Sequence, residues 1–321
     1  MKTFSLLIIT IISAASSSCN CNSGSDLKNF EAFNQYEKHL DSLIRQSIDN
    51  ETTSSVSIDN INGLRQEGFD FFNAEGYNID LETMNKKMDE KTISEIKSKY
   101  SILSEKTVVD TIRENYICYS LQEIHDSMII SSIYYLIGVE EKTKVVTFRT
   151  FLNRDINFEL GFNELVIHDS IPNDCFSNMQ VDSIKFAGRR IPLGSVCAWQ
   201  GINNIQCSHR GQMNWSEFQT QNRAIEMIRN QINLSKADND IEKVEYIDVL
   251  FEGNKTKALK MYYKINLPKM LLGGSNIIIA YYVVSPVRNR FVGCILSHYD
   301  DDAKEGELPI LLSEVMKLVE N

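Results

Sequence analysis

The chain lacks the motifs that announce a reaction. It has no Gly-x-Ser-x-Gly nucleophile turn, no His-Glu-x-x-His zinc helix, no phosphate loop and no dinucleotide fingerprint. Its five histidines, at 39, 125, 168, 209 and 298, never stand at ligand spacing along the sequence. Proline is scarce, at 5, and glycine numbers 15, which excludes a fibrous or low-complexity chain. Basic residues are outnumbered, 33 against 43 acidic, and the net charge is −10. An acidic surface disfavours nucleic acid and anionic membrane surfaces as partners. No apolar run downstream of residue 20 is long enough to cross a bilayer as a helix. What remains is a globular chain of 321 residues, 43% apolar, with enough hydrophobic material for a sizeable core.

The most informative segment is the first one. Met1-Lys2 gives a positive start, Phe4 to Ile12 a short apolar core, and residues 13–18 a run of small side chains, followed by Cys19. This order reads as a secretory signal peptide over residues 1–18. A cysteine directly after the small residues resembles the lipid-attachment site of bacterial lipoproteins, although Ser16 stands where that pattern has an aliphatic residue. The resemblance implies that Cys19 carries the lipid, that residues 19–26 form a tether, and that the lipid alone anchors the protein. Plain secretion, with cleavage after Ala15 or Ser17, is the alternative.

Seven cysteines are present: Cys19, Cys21, Cys118, Cys175, Cys197, Cys207 and Cys294. Lipidation of Cys19 leaves an even number; plain secretion leaves an orphan thiol. One pair stands out. With Gly201-Ile202-Asn203 as a hairpin loop, Trp199 pairs with Ile205 and Cys197 with Cys207, all on one face. A cross-strand disulfide between Cys197 and Cys207 is therefore expected. The functional reading of the same residues, a redox or metal site with His209, is weaker, because Cys-x-His alone lacks the ligand count of a zinc site. Four glycosylation sequons, at Asn50, Asn214, Asn233 and Asn254, matter only in a eukaryotic host.

Apolar periodicity predicts a helix over about 26–47, and Thr92 to Glu95 has capping-box spacing for a helix from Ile93, with more helix to about 116. A hairpin is predicted over 128–151, and a short strand over 164–168. Ser216 and Gln219 offer a capping box for a helix over 214–235. His209 to Trp215 then reads as the approach to that helix. Four strand-like runs come next, 243–251, 256–267, 276–284 and 290–298, and then a helix over about 307–320. Together these predict an α+β fold: an antiparallel sheet covered by helices in a 117–321 domain, preceded by a helix-rich 27–116 region. The acidic run Asp300-Asp301-Asp302 reads as a solvated loop rather than a calcium site, since it lacks the alternating-ligand pattern.

Function is less legible. The export signal, the tether and the missing reaction motifs point to a lipid-anchored envelope protein that binds a protein or an envelope component, without a cofactor. A secreted hydrolase with residues scattered over loops is the alternative.

Overall fold

The computed structural model describes residues 23–47, 61–102, 107–125, 128–179, 181–194, 196–265 and 275–319. The chain divides into two compact units, one built from residues 1–52 and 180–321, the other from 53–179.

The 53–179 unit is a mostly antiparallel sheet with a helix on each face. β1 (Asn62–Gln66), β2 (Phe69–Ala74) and β3 (Tyr77–Met84) form a meander. α2 (Glu90–Lys99) then crosses to β4 (Val108–Arg113), β5 (Tyr116–His125), β6 (Met128–Val139) and β7 (Lys142–Thr150). α3 (Ile156–Ile167) comes next, and the two-residue strand β8 (Phe176–Ser177) pairs in parallel with β1. The strand order is β4-β5-β6-β7-β3-β2-β1-β8. Strand alternation sends Tyr134 and Leu136 of β6 to one face and Ile133, Tyr135 and Ile137 to the other. The first set packs with Ile96 of α2, the second with Phe158, Phe162 and Val166 of α3. Both helices begin at an aspartate cap: Asp89 accepts from the Thr92 amide at 2.8 Å, and Asp155 from the Phe158 amide at 3.0 Å.

The other unit repeats this plan. β11 (Cys197–Gly201), β12 (Asn204–Cys207) and β13 (Gly211–Phe218) precede α4 (Gln221–Asp238). β14 (Asp240–Phe251), β15 (Asn254–Lys264), β16 (Ile277–Val287) and β17 (Arg290–Tyr299) continue as a meander. The order β14-β15-β16-β17-β13-β12-β11 matches β4-β5-β6-β7-β3-β2-β1 strand for strand. In both units the crossover helix joins the third strand to the fourth. α4 turns Ala224, Ile225, Ile228 and Ile232 to its sheet and packs on β13, β16 and β17. α1 (Ser23–Ser47) lies beside it against β14 and β15. Its buried Tyr36 hydroxyl donates to the Tyr282 carbonyl at 2.9 Å, and Arg229 of α4 reaches Glu37 at 2.9 Å and Asp41 at 2.5 Å.

The opposite face of that sheet is covered differently. The hairpin of β9 (Ser183–Phe186) and β10 (Arg189–Pro192) lies there with α5 (Ile310–Ser313). Phe186 fits between Trp215 and Phe251, with ring centroids 5.6 and 6.1 Å away. Buried charge fixes the hairpin. Glu217 accepts from the Ala187 amide at 3.0 Å and from Arg290; Glu252 accepts from Arg189 at 2.8 Å and Arg288 at 2.7 Å. The last described element is β18 (Met316–Leu318), antiparallel to β14.

The expected helix-covered α+β fold is overturned: among the described residues strands dominate, in two eight-stranded sheets. The 27–116 region holds α1 and α2, but β1, β2, β3 and β4 lie within it too, and residues 108–113, expected as helix, are strand. Residues 211–218 are strand and the helix starts at Gln221, after Thr220, so Ser216 and Gln219 form no capping box. Met213 and Trp215 alternate with polar neighbours and fill the core under Phe186, which a strand achieves and a helix start does not. Residues 164–168 belong to α3 and its cap, and the 307–320 helix shrinks to four residues before β18. The expected hairpin over 128–151 and the four strands over 243–298 are β6–β7 and β14–β17.

Gly211 marks the tightest backbone approach. Its φ is +98°, and a Cβ there would overlap Leu312 Cδ1 and lie 3.1 Å from the Ser297 carbonyl. Gly211→Ala is expected to lower unfolding free energy by about 2–4 kcal/mol, combining left-handed strain with overpacking. Urea denaturation measures it. Adding Leu312→Ala should cost less in Gly211→Ala than in the parent, because the overlap is then relieved while the strain stays.

Candidate functional site

The second half of the chain carries a polar grid on the sheet face that also holds the β9–β10 hairpin. Register sets it. Glu245, Lys260, Tyr281 and Leu296 form one cross-strand row over β14, β15, β16 and β17. Lys243, Tyr262, Ile279 and His298 form the next row, two residues along each strand. Period-two alternation puts all eight on one face. Nearer the hairpin the same face is apolar, with Val249, Phe251, Val283 and Cys294.

Glu245 is the grid's acceptor. It takes a hydrogen bond from the Tyr262 hydroxyl at 2.7 Å and an ion pair from Lys243 at 2.7 Å. Lys260 is held more loosely, 3.7 Å from Glu245, with its ammonium 4.9 Å from the Tyr262 ring centroid and 5.6 Å from that of Tyr281. Burial lowers the Lys260 pKa, against the opposing pull of Glu245. Burial works to raise Glu245, but hydrogen bonds from Lys243 and Tyr262 and the Lys260 charge outweigh it and the pKa falls. Burial raises both tyrosines, Tyr262 further through its bond to Glu245.

His298 closes the grid. Its ring stacks on Tyr281, centroids 6.0 Å apart at 15°. Nδ1 lies 2.6 Å from the Tyr299 carbonyl, so Nδ1 carries the proton and Nε2 presents a lone pair. Nε2 is buried and has no hydrogen-bond partner among the described residues. Burial lowers the His298 pKa, as does Lys260; the Tyr299 carbonyl, Asp302 and Asp300 oppose. A neutral imidazole acceptor, a lysine donor and a carboxylate thus share one face.

A buried carboxylate of the 53–179 unit, that of Glu159, is fully satisfied. Glu159 accepts from Tyr77 at 2.9 Å, Tyr135 at 2.8 Å and Arg154 at 3.1 and 2.6 Å. The Tyr77 hydroxyl in turn accepts from the Asp155 amide at 2.7 Å. This network fastens the first turn of α3 to the sheet, with every strong acceptor used.

Of the sequence-derived candidates, Cys19 lies outside the described residues, as do the signal segment and Cys21. Cys197 and Cys207 pair across β11 and β12 with Cα atoms 4.0 Å apart and are disulfide-bonded. Trp199 faces Ile205 as expected, but it is only half-buried; the turn is tighter than three residues, Gly201 pairing with Asn204. His209 is exposed and bonds Asp302 at 3.1 Å. Cys118, Cys175 and Cys294 are buried thiols. In the Asp300–Asp302 turn, Asp301 accepts from the Ser275 amide at 2.9 Å and Asp302 from the Tyr299 amide at 3.2 Å. Among the described residues no group of three or more His, Cys, Asp or Glu is placed to hold a metal ion. The grid was missed from sequence because its members are scattered over 56 positions; only the four-strand meander hinted that their registers would meet.

No protein-family model matches the chain, and no curated protein matches it. Among solved structures, a protein from Bacteroides thetaiotaomicron is similar at 9% identity over 62% of this chain and 80% of that one, with a TM-score of 0.23. DynU16, from the dynemicin biosynthetic locus, is similar at 9% identity over 73% of each chain, TM-score 0.16. The di-domain ARO/CYC StfQ of the steffimycin pathway is similar at 10% identity over 80% of this chain and 79% of that one, TM-score 0.14. Similarities this distant carry no argument about fold or activity.

This geometry leads to two expected outcomes. Cys207→Ser should lower stability by about 2–3 kcal/mol, the loop-closure value for so short a loop, measured by urea unfolding against the oxidised parent. His298 has a folded pKa below its unfolded value of about 6.5. Its stabilisation is complete above that value and is lost as pH falls through the depressed pKa. His298→Gln should therefore flatten the fall in stability between about pH 7 and 5. A slope from His39, shifted the same way by burial, should remain.

Proposed function

We propose that this chain is exported, anchored by lipid at Cys19, and acts in the cell envelope as a binding or assembly protein. The observation that carries the compartment is the Cys197–Cys207 disulfide. Oxidised pairs persist outside the reducing cytosol, in agreement with the signal-like residues 1–18. Among the described residues no helix is long and apolar enough to cross a membrane, so in this reading the lipid supplies the anchor.

The binding role draws on the grid of Glu245, Lys260, Tyr262 and His298, which sets a donor, two acceptors and an aromatic edge on one sheet face. A protein or an envelope component suits this surface, and the acidic balance of the chain argues against nucleic acid. The second reading, an exported hydrolase, draws on the neutral His298 with its unpartnered Nε2 on the same face as Glu245. It requires turnover of an ester or peptide panel that His298→Gln abolishes while the fold is kept.

The anchored reading is tested at the N-terminus. Intact-mass analysis of the protein from membranes should show diacylglyceryl-Cys19 as the first residue. A free Ser16 or Ser18 there would sink the proposal. Cys19→Ala should move the protein from the membrane fraction to the soluble one.

A further inference from the structure

Strand edges differ sharply between places that share one topology. β14 is the outer strand of its seven-strand core, and the chain's own β18 covers it: Leu318 pairs with Val249, Lys317 with Leu250 and Met316 with Phe251. Hydrogen bonds just outside the ladder extend this cover, from the Glu252 amide to the Val315 carbonyl at 2.7 Å and from the Val319 amide to the Asp248 carbonyl at 3.3 Å. In the 53–179 unit β4 holds the same position as β14, yet it pairs with β5 alone. The far edge of that sheet, β1, is covered by β8. Among the described residues nothing pairs with the outer side of β4.

All six residues of β4 are exposed, and the apolar ones strongly so: Val108 by 72%, Val109 by 52% and Ile112 by 39%. An open edge with exposed β-branched residues is a template for another strand, and natural proteins usually blunt or cover such edges. A bulge between Thr111 and Arg113 breaks the ladder, so the regular stretch is Val108 to Thr111. Within it Val109 and Thr111 lie on the face of Tyr119 and Ile117, while Val108 and Asp110 lie on the other.

We propose that β4 is a docking edge for an extended segment of another polypeptide, added antiparallel as β18 is added to β14. The segment has the pattern apolar–basic–apolar. Asp110 calls for a basic residue directly opposite, and Val109 for an apolar residue beside it. β18 itself has this pattern, Met316-Lys317-Leu318, with Met316 buried and Lys317 exposed. The proposal rests on the binding reading above and is independent of lipid anchoring.

The test selects a displayed library of random dodecapeptides on the oxidised chain from residue 20 onward. Enriched peptides should share apolar–basic–apolar, and a synthetic copy should slow hydrogen exchange at alternate amides of β4. Val109→Lys should weaken it by about tenfold, as expected for a central contact. Asp110→Lys should weaken it too, and a basic-to-Glu change in the peptide should restore binding. Both substitutions are on exposed positions and leave the fold intact, which circular dichroism checks. Failure to enrich any peptide overturns the proposal, as does equal affinity for the Val109→Lys variant. Peptides that protect residues elsewhere overturn the docking edge while keeping the binding reading. Self-association of the unliganded chain that Val109→Lys abolishes gives the edge to a second copy and also overturns it.

Discussion

An antiparallel sheet that is apolar on both faces has to be covered twice, and the rest of this structure depends on that constraint. β6 sends Tyr134 one way and Tyr135 the other, both buried; β16 does the same with Tyr281 and Tyr282. In each unit the crossover between the third and fourth strands supplies the first cover, α2 or α4. The second cover comes from the segment after the last strand. In the 53–179 unit that is the twelve-residue α3, whose Phe158, Phe162 and Val166 fill the face. In the other unit the α-helix after β17 has four residues among the described ones, and the β9–β10 hairpin makes up the difference.

That substitution has consequences for charge. A hairpin brings its backbone into the interior, and its polar groups need partners there. Glu217 accepts from the Ala187 amide and Arg288 donates to the Ala187 carbonyl, while Arg290 neutralises Glu217 and Glu252 holds the Arg189 and Arg288 side chains. The hairpin and α5 cover the apolar rows of the face, while the rows with Glu245, Lys260, Tyr262 and His298 lie beyond them. A half-buried lysine between tyrosine rings is tolerated because it keeps part of its hydration and a carboxylate within 3.7 Å. Among the described residues, the candidate site thus lies where the hairpin and α5 stop short of the polar rows of the sheet.

Local patterns in the sequence were sound where one physical signal acted alone. Strands β14 to β17 are β-branched and aromatic runs bounded by turns such as Glu252-Gly253, both with positive φ, so their existence and order were legible. The Cys197–Cys207 pairing was legible because two residues an even number of steps apart across a short turn share a face. Misreadings arose where two signals compete. Ser216 with Gln219 has capping-box spacing, but Met213 and Trp215 belong to the core only in an extended strand, and tertiary packing prevailed. The C-terminal apolar residues Leu311, Leu312, Val315 and Met316 have helical spacing too; a turn of helix and then a strand buries all four.

The repeated strand order was invisible in the sequence, and the reason is physical. A shared topology constrains which positions are apolar, not which residues occupy them. The Tyr-Tyr pair of β6 and that of β16 sit at equivalent strands, but the first tyrosine faces the crossover helix in one and the second does so in the other. Such a one-residue offset exchanges the faces and erases any alignment of side chains while leaving the backbone plan intact. What the two copies are free to change is therefore the cover and the edges. It is there that they differ: α3 against hairpin and α5 on the second face, β18 on the β14 edge against solvent on that of β4. Function in a duplicated sheet is best sought at those differences, because the shared frame has little freedom to carry it.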